Sequence, residues 1–429
     1  MNVADSQRLA STLERLGYIE SPIIEEADVI VLNTCMVRQS AEDKALGRLS
    51  SLKPLKQKNP ELILGLMGCM VGFKDQSEIR KRFPYVDVFA PPSDPKPIID
   101  YLIEEEFIGT KPAYTSENEA TVWEPGSITL PASQQNNAVS AFVPVVYGCS
   151  HACAYCIIPY KRGVERSRDP QEILDHVHSL AGQGVKEITL LGQIVDRYGL
   201  DMPDYPTLGG LLEQVHEVPG IERIRFLTSH PNWMTDELLK TVSRLPKVMN
   251  HIEVPAQAGN DQVLAAMRRG YTDEAYRRLI DRIRTLIPGV SIGTDIIVGF
   301  PGETAEQFED TVKQLTDLRL DVVHLARYSP RTGTLSERTM PDDVSDEEKW
   351  RRFRVIETLQ EGIAADLHAP LLGKTCQVLF EEKKKSRWLG RTEHMDLVYV
   401  DSDQDLTGKI LPVKINWTGP WTMIGELEN

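Results

Sequence analysis

Apolar positions recur along the chain with two periods, and the switches between them mark its elements. Val3, Leu9, Leu13 and Leu16 share a helical face and Gly17 ends the run, so residues 3–17 are predicted to be helical. The β-branched run Asp28-Val-Ile-Val-Leu-Asn33 predicts a strand that stops at Thr34-Cys35, and 40–55 returns to helical spacing. Leu62-Ile-Leu-Gly-Leu-Met67 predicts a second strand, stopping at Gly68-Cys69. Two cysteines therefore stand at the carboxyl ends of strands in a β/α alternation, where open sheets place their ligands. The segments 86–89 and 97–105 continue the alternation.

Residues 114–138 have little periodicity and read as a linker between domains. Beyond them apolar runs recur at 142–147, 187–191, 223–227, 250–254, 290–298 and 321–328, with helical patterns at 170–182, 208–216, 235–244, 273–286 and 303–318. Six β/α units predict a parallel sheet curled into a partial or full (β/α) barrel with its function at the strand carboxyl ends. A charged helix is expected near 343–366, and short strands from Gly373 onward predict a small antiparallel β-barrel. The fold class is α/β, in three units: an N-terminal open α/β sheet (1–113), the central barrel (139–368) and the C-terminal barrel (369–429).

The chain has 429 residues and a net charge of −15, which argues against a protein that coats DNA or anionic lipid through bulk charge and leaves a local basic patch open. No apolar run reaches the roughly 20 residues of a membrane span, and Met1 to Asp5 lacks a signal-peptide start, so a cytoplasmic protein is expected. Six cysteines are too few for a disulfide framework in a chain of this length, so metal binding or catalysis explains any cluster better.

Cys149, Cys153 and Cys156 form such a cluster, spaced C-x3-C-x2-C in a loop directly after the first barrel strand. A structural zinc would want four ligands, and His151 between the cysteines keeps that alternative open. Three thiolates can instead hold three irons of a cubane and leave the fourth open for chemistry. The motif, with Tyr155 before the last cysteine, resembles the radical S-adenosylmethionine (SAM) enzymes, and Cys156-Ile-Ile-Pro-Tyr-Lys-Arg162-Gly163-Val-Glu165-Arg-Ser167-Arg168 narrows the resemblance to their methylthiotransferases. Asn33-Thr-Cys35-Met-Val-Arg38, Gly68-Cys69-Met, Thr228-Ser-His230-Pro, Met267-Arg-Arg-Gly-Tyr-Thr272, Asp295-Ile-Ile-Val-Gly-Phe-Pro-Gly-Glu303 and Tyr328-Ser-Pro-Arg-Thr-Gly333 extend it over almost the whole chain. The run Asn33 to Lys44 and Gly390-Arg-Thr-Glu393 are similar to the branch acting on N6-dimethylallyladenosine in tRNA.

The resemblance implies that Cys149, Cys153 and Cys156 hold a 4Fe-4S cluster that chelates SAM and generates a radical, and that Cys35 and Cys69 belong to a second 4Fe-4S cluster concerned with sulfur. Two SAM molecules are then consumed per product, and the C-terminal barrel is a TRAM domain that binds RNA. Tyr155, Gly192, Gln193, Gly299 and Glu303 fall at the expected SAM-contacting positions, although a packed tyrosine, a strand-end turn and a helix start account for them equally. The expected partners are a tRNA anticodon stem-loop, with position 37 as the target, and an electron donor such as flavodoxin or ferredoxin, the protein itself being a monomer. The alternatives are methylthiolation of threonylcarbamoyladenosine in tRNA or of a ribosomal protein, and a non-catalytic RNA-binding protein with a structural metal.

Three departures stand out. The family's second cluster takes another cysteine from a strand-end motif resembling Gly-Cys-Gln-Met-Asn, whereas this chain opens at Met1-Asn2. An internally assigned start, with the strand and its cysteine upstream, is the expectation; a chain supplying Cys35 and Cys69 alone is the alternative. The family's usual Gly-Gln-Asn-Val-Asn appears as Gly192-Gln-Ile-Val-Asp196, and His251-Ile-Glu253-Val-Pro255 replaces a pattern resembling His-Leu-Pro-Val-Gln.

Charge is the remaining signal. Lys383, Lys384, Lys385, Arg387, Trp388 and Arg391 sit on one predicted hairpin, and Arg162, Arg166, Arg168, Arg268 and Arg269 lie in sequence near the barrel mouth. Cations track phosphates and an aromatic can stack a base, while a solvated face explains a lysine run just as simply. His230 and His251 are expected to be packed or hydrogen-bonded rather than ligands, and the lone Cys376 buried and inert.

Overall fold

A computed structural model describes residues 1–73, 76–104, 130–135 and 138–428; most of the expected linker 114–138 lies outside the described residues. In the N-terminal unit, β1 (Val29–Thr34), β2 (Ile63–Gly68) and β3 (Val88–Ala90) form a parallel sheet in that order. All of β2 is buried, as its continuous apolar run requires of a strand covered on both faces. Helix α1 (Asn2–Arg15) brings Leu9 into one core with Ile63, Met67, Val88 and Ala90. Helix α4 (Lys96–Glu104) adds Ile98 and Leu102 to the same core, and α2 (Gln39–Lys58) covers the other side through Leu49 and Leu66. Between them in sequence lies the short α3 (Ser77–Arg82).

The central unit is a partial barrel. Strands β4 (Ser140–Pro144), β7 (Glu187–Leu191) and β8 (Arg223–Leu227) pair in parallel, as do β9 (His251–Glu253), β10 (Ser291–Val298) and β11 (Val322–Arg327). A parallel bridge from Ile224 to Val248 joins the halves, and among the described residues β4 and β11 do not pair. Five outer helices start on side-chain caps, Asp169, Thr207, Thr235, Thr272 and Thr304, each accepting from a backbone N–H of its first turn. Each cap is worth about 1 kcal/mol.

The C-terminal unit is a closed five-stranded barrel: β12 (Thr375–Lys384), β13 (Arg387–Arg391), β14 (Leu397–Asp401), β16 (Met423–Leu427) and β15 (Ile410–Thr418), in that spatial order. The expected small antiparallel barrel is present, with one exception at the seam between β14 and β16, which runs parallel. An odd ring cannot alternate direction at every seam. This barrel docks on the central one through Arg223, which donates to the carbonyls of Arg391 and Gln377, and Arg225, which donates to those of Thr392 and Glu393. No helix among the described residues is long and apolar enough to cross a membrane.

A candidate cysteine-lined active site at the barrel mouth

The short antiparallel ribbon of β5 (Val146–Tyr147) and β6 (Arg166–Ser167) pinches the base of the loop that carries Cys149, Cys153 and Cys156. Cys149 N–H closes the pinch on Gly163 O at 3.1 Å. Gly148 has φ +66°, and a Cβ there would overlap Val164 O, so only glycine lets the ribbon turn into the loop. The middle of the loop is fixed by Ala154, whose N–H donates to Met267 O at 3.0 Å and whose carbonyl accepts from Ser336 N–H at 2.9 Å.

Burial is the main force on the thiols. It pushes Cys149 up to about 11 and Cys156 up to about 12, so both are neutral in the protein alone and need a positive centre to ionise. Arg269, buried, donates from Nη1 to Cys153 Sγ at 3.2 Å. Among the described residues no three His, Cys, Asp or Glu side chains converge on a point suited to one ion. Thiolates that each bind a separate iron need not converge, whereas a tetrahedral zinc requires ligands about 2.0–2.3 Å from one centre.

Cys35 and Cys69 follow register partners, Thr34 and Gly68, so the parallel pairing of β1 and β2 brings both to one end of the sheet. Cys69 N–H donates to Thr34 O at 3.1 Å. Burial pushes the Cys69 thiol up, against the pull of the Arg162 guanidinium beside it. Arg162 belongs to the helix Ile158–Arg162 that follows the three-cysteine loop. The two cysteine groups are thus tied through one short helix.

One cysteine of the loop, Cys156, and the segment that follows Cys35 border a common cavity of about 810 Å³. Cys156 and Tyr155 form part of its wall, Val37 and Arg38 from the segment after Cys35 another, and Gln257, Asp295 and His324 the barrel side. Gln257 holds φ +72° just beyond the fourth barrel strand, and its buried Oε1 makes no hydrogen bond among the described residues. Such a strained residue with an unmet acceptor fits a site that receives a ligand.

Not every expected position faces this cavity. Tyr155 does, edge-on to Phe300 with ring centroids 6.4 Å apart. Gly192 is closed over by the chain itself, since a Cβ there would lie 3.0 Å from Val195 Cα; Gln193 is half-buried beside it. Gly299 and Glu303 are turned toward the helix Asp346–His368: Glu303 accepts from Gly299 N–H at 2.6 Å and from Arg352 Nη1 at 2.7 Å. Ile194, in place of the usual asparagine, packs against Cys149 and Ile158, so the departure becomes an apolar wall behind the loop.

His230 and His251 are buried, as expected. Sequence reasoning missed that His151, His230 and Trp233 pack together, with His151 and His230 centroids 4.7 Å apart. Only the Ser-His-Pro turn at the end of the third barrel strand hinted at it. Cys376 is half-buried rather than buried, at the edge of the C-terminal core.

The basic positions need correction. Arg162 and Arg168 are buried, the first bound to Asn2, Ser93 and Asp5, the second to Pro144 O, rather than presented as free surface cations. Trp388 is also buried, under Lys383 Nζ at 5.8 Å. Lys384, Arg387 and Arg391 are paired with Glu382, Asp401 and Glu381. Arg166 and Lys385 remain exposed. The large exposed aromatics of the barrel are instead Trp417 and Trp421, each about half exposed.

Comparison with known proteins agrees with this architecture. Residues 143–315 match the Radical SAM superfamily and residues 1–91 match Uncharacterized protein family UPF0004. The tRNA-2-methylthio-N(6)-dimethylallyladenosine synthase of Herpetosiphon aurantiacus is 45% identical over 431 residues, spanning 100% of this chain and 95% of that protein. The enzyme of the same name from Dehalococcoides mccartyi strain CBDB1 is 42% identical, spanning 100% and 96%. Among solved structures, the cobalamin-dependent S-adenosylmethionine radical enzyme OxsB superposes with a TM-score of 0.50 at 15% identity, covering 84% of this chain and 53% of that one, a likeness of fold. With the three-cysteine loop at the mouth of a partial barrel, two further cysteines at the end of an adjoining sheet, and full-length relatives of this kind, the chain belongs to the methylthiotransferase family of radical SAM enzymes.

Proposed function

We propose that the protein converts N6-dimethylallyladenosine to 2-methylthio-N6-dimethylallyladenosine at position 37 of tRNA. The observation that carries this reading is the single cavity bordered both by Cys156 and by the segment that follows Cys35. A base admitted there lies against Cys156 and against the segment that leads from Cys35. In this reading Cys149, Cys153 and Cys156 hold one 4Fe-4S cluster, and Cys35 and Cys69 contribute to a second. When bound, the clusters supply one-electron cleavage of SAM and the sulfur to be inserted, with two SAM molecules consumed per product.

The chain's own residues supply the setting. Arg269 directs a guanidinium N–H at Cys153 Sγ and so fixes where that sulfur points. Ile194 and Ile158 keep water from the back of the loop, which a radical site requires. Tyr155 and Gln257 are assigned to SAM, one as an apolar face and the other through its unmet Oε1. An anticodon loop offers a base that can be splayed out at modest cost. Trp417 and Trp421 are assigned to the RNA, with Lys385 and Arg166. The same reading divides the chain into 1–113, 139–368 and 369–429 and makes it a cytoplasmic monomer that takes electrons from a flavodoxin or ferredoxin.

Anaerobic reconstitution followed by nucleoside mass spectrometry of tRNA tests it. Reductant-driven cleavage of SAM and the appearance of the 2-methylthio nucleoside are expected. Methylthiolation of threonylcarbamoyladenosine instead, or no SAM cleavage, would sink the reading.

A further inference from the structure

The inner face of β9, β10 and β11 carries a polar row that has no part in holding the cysteine loop. Register sets Ser291 beside His251, Gly293 beside Glu253 and Asp295 beside His324. Glu253 Oε1 lies 3.1 Å from His251 Nε2 and 3.2 Å from His324 Nε2, so one carboxylate on β9 reaches across β10 to a histidine on β11. It can do so because position 293 is glycine: a Cβ there would overlap the Glu253 carboxyl. His251, buried, is held from its other side by Ser291 Oγ at 2.8 Å. Three strands are thus built around the placement of His324, whose own side chain is 48% exposed and borders the cavity shared with Cys156.

With Nε2 committed to Glu253, the ring presents Nδ1, which makes no hydrogen bond among the described residues. The Asp295 carboxylate, its register neighbour on a strand about 4.8 Å away, likewise makes none among the described residues and borders the same cavity. A donor and an acceptor side by side complement a heteroaromatic edge on which an acceptor nitrogen adjoins an N–H. Adenine has that edge, and alkylation at N6 leaves one N6–H in place.

We infer that His324 and Asp295 read the target adenine, His324 donating from Nδ1 to a ring nitrogen and Asp295 accepting from N6–H, with Glu253 as the positioning residue that fixes the His324 ring. The inference rests on the tRNA reading above. The titratable and charged groups that face His324 are Glu253 and His251 on β9, Asp295 on β10 and Arg38 from the segment after β1. The hydrogen bond that His324 Nε2–H donates to the Glu253 carboxylate raises the His324 pKa. When the ring loses its proton with Nε2–H still bound to Glu253, Nδ1 becomes an acceptor, so recognition must weaken as pH rises through that raised value.

The test is binding of an anticodon stem-loop RNA to the reconstituted protein, anaerobically and without reductant. The RNA carries N6-dimethylallyladenosine, its 1-deaza or 7-deaza analogue, or uridine at the target position. The wild type is expected to lose about tenfold in affinity for one of the two deaza RNAs. H324F should bind the parent RNA about tenfold more weakly and cease to distinguish the analogues, D295N should weaken parent binding by a similar factor, and E253Q should move the alkaline loss of binding to lower pH. Equal wild-type binding of all three purine RNAs, or H324F and D295N that bind the parent as the wild type does, would overturn the inference alone. A wild type that binds the uridine RNA as well as the parent would overturn the substrate reading and this inference together.

Discussion

Arg225 leans out of the central barrel wall to donate to the carbonyl oxygen of Thr392, 2.9 Å away in the C-terminal barrel, while its Nε holds Glu187 at 2.9 Å. All three residues are buried. Arg225→Met therefore strands the Glu187 charge and two carbonyls of the C-terminal barrel, at a cost of about 3–5 kcal/mol. Denaturant titration checks this. The double substitution with Glu187→Met is expected to recover part of the loss, and a double variant no more stable than the single would show that the carbonyl contacts dominate.

The cysteines should divide by position. Alanine at Cys149, Cys153 or Cys156 is expected to remove one cluster's share of iron and abolish reductant-driven SAM cleavage. Alanine at Cys35 or Cys69 should remove a different share and leave SAM cleavage standing while product is lost. Cys376→Ala should change neither. Iron assay and quantitation of 5′-deoxyadenosine distinguish the three groups.

Acid sensitivity has an identifiable source in His176, buried on the helix Pro170–Gly182. Burial, with Arg168 and Arg8 nearby, pushes its pKa down to about 3. The unfolded chain takes up a proton near pH 6.5 that the folded chain refuses, so stability falls as pH drops from about 6.5 toward 3, by up to about 1.4 kcal/mol per unit. His176→Leu should flatten that limb of a melting-temperature profile between pH 7 and 4. An unchanged slope would place the acid lability elsewhere.

Gly293→Ala should reproduce the Glu253 phenotype without touching a titratable group. The new methyl must displace the Glu253 carboxyl, with overpacking of about 1–3 kcal/mol. The expected signature is the same downward movement of the alkaline limb of RNA binding as in E253Q.

Trp417→Ala and Trp421→Ala should each weaken stem-loop binding about tenfold, since a base stacked on an aromatic is worth about 1–3 kcal/mol. Trp388→Phe, inside the barrel, should leave affinity within a factor of two or so and lower thermal stability instead.

Much of this fold is written locally in the sequence. The strands 187–191 and 223–227 and the helices 170–182, 208–216 and 273–286 have the bounds their periodicity predicts, because each buries one regular apolar stripe. The three-cysteine loop was legible for another reason: its spacing is itself the chemistry. Side-chain exposure was less legible. Arg162 and Arg168 read as free cations because nothing in a linear motif reveals that Asp5 or Pro144 lies behind them. Glu253 looked like a local substitution on a short strand. Its meaning depends on a glycine 40 residues later and a histidine 71 residues later, two strands away.

The open seam of the central barrel also bears on whether the chain can be divided. On its outer side β11 has no strand partner among the described residues. The helix Asp346–His368 packs on it, and Arg331 just beyond it is bound by Glu42 and Gln39 of α2. A central barrel expressed by itself would keep that helix but lose both α2 partners of Arg331, leaving a buried guanidinium unpaired beside an open strand edge. The N-terminal sheet is then a solubility partner as well as a cysteine donor, and excising residues 139–368 is expected to yield aggregates rather than a smaller enzyme.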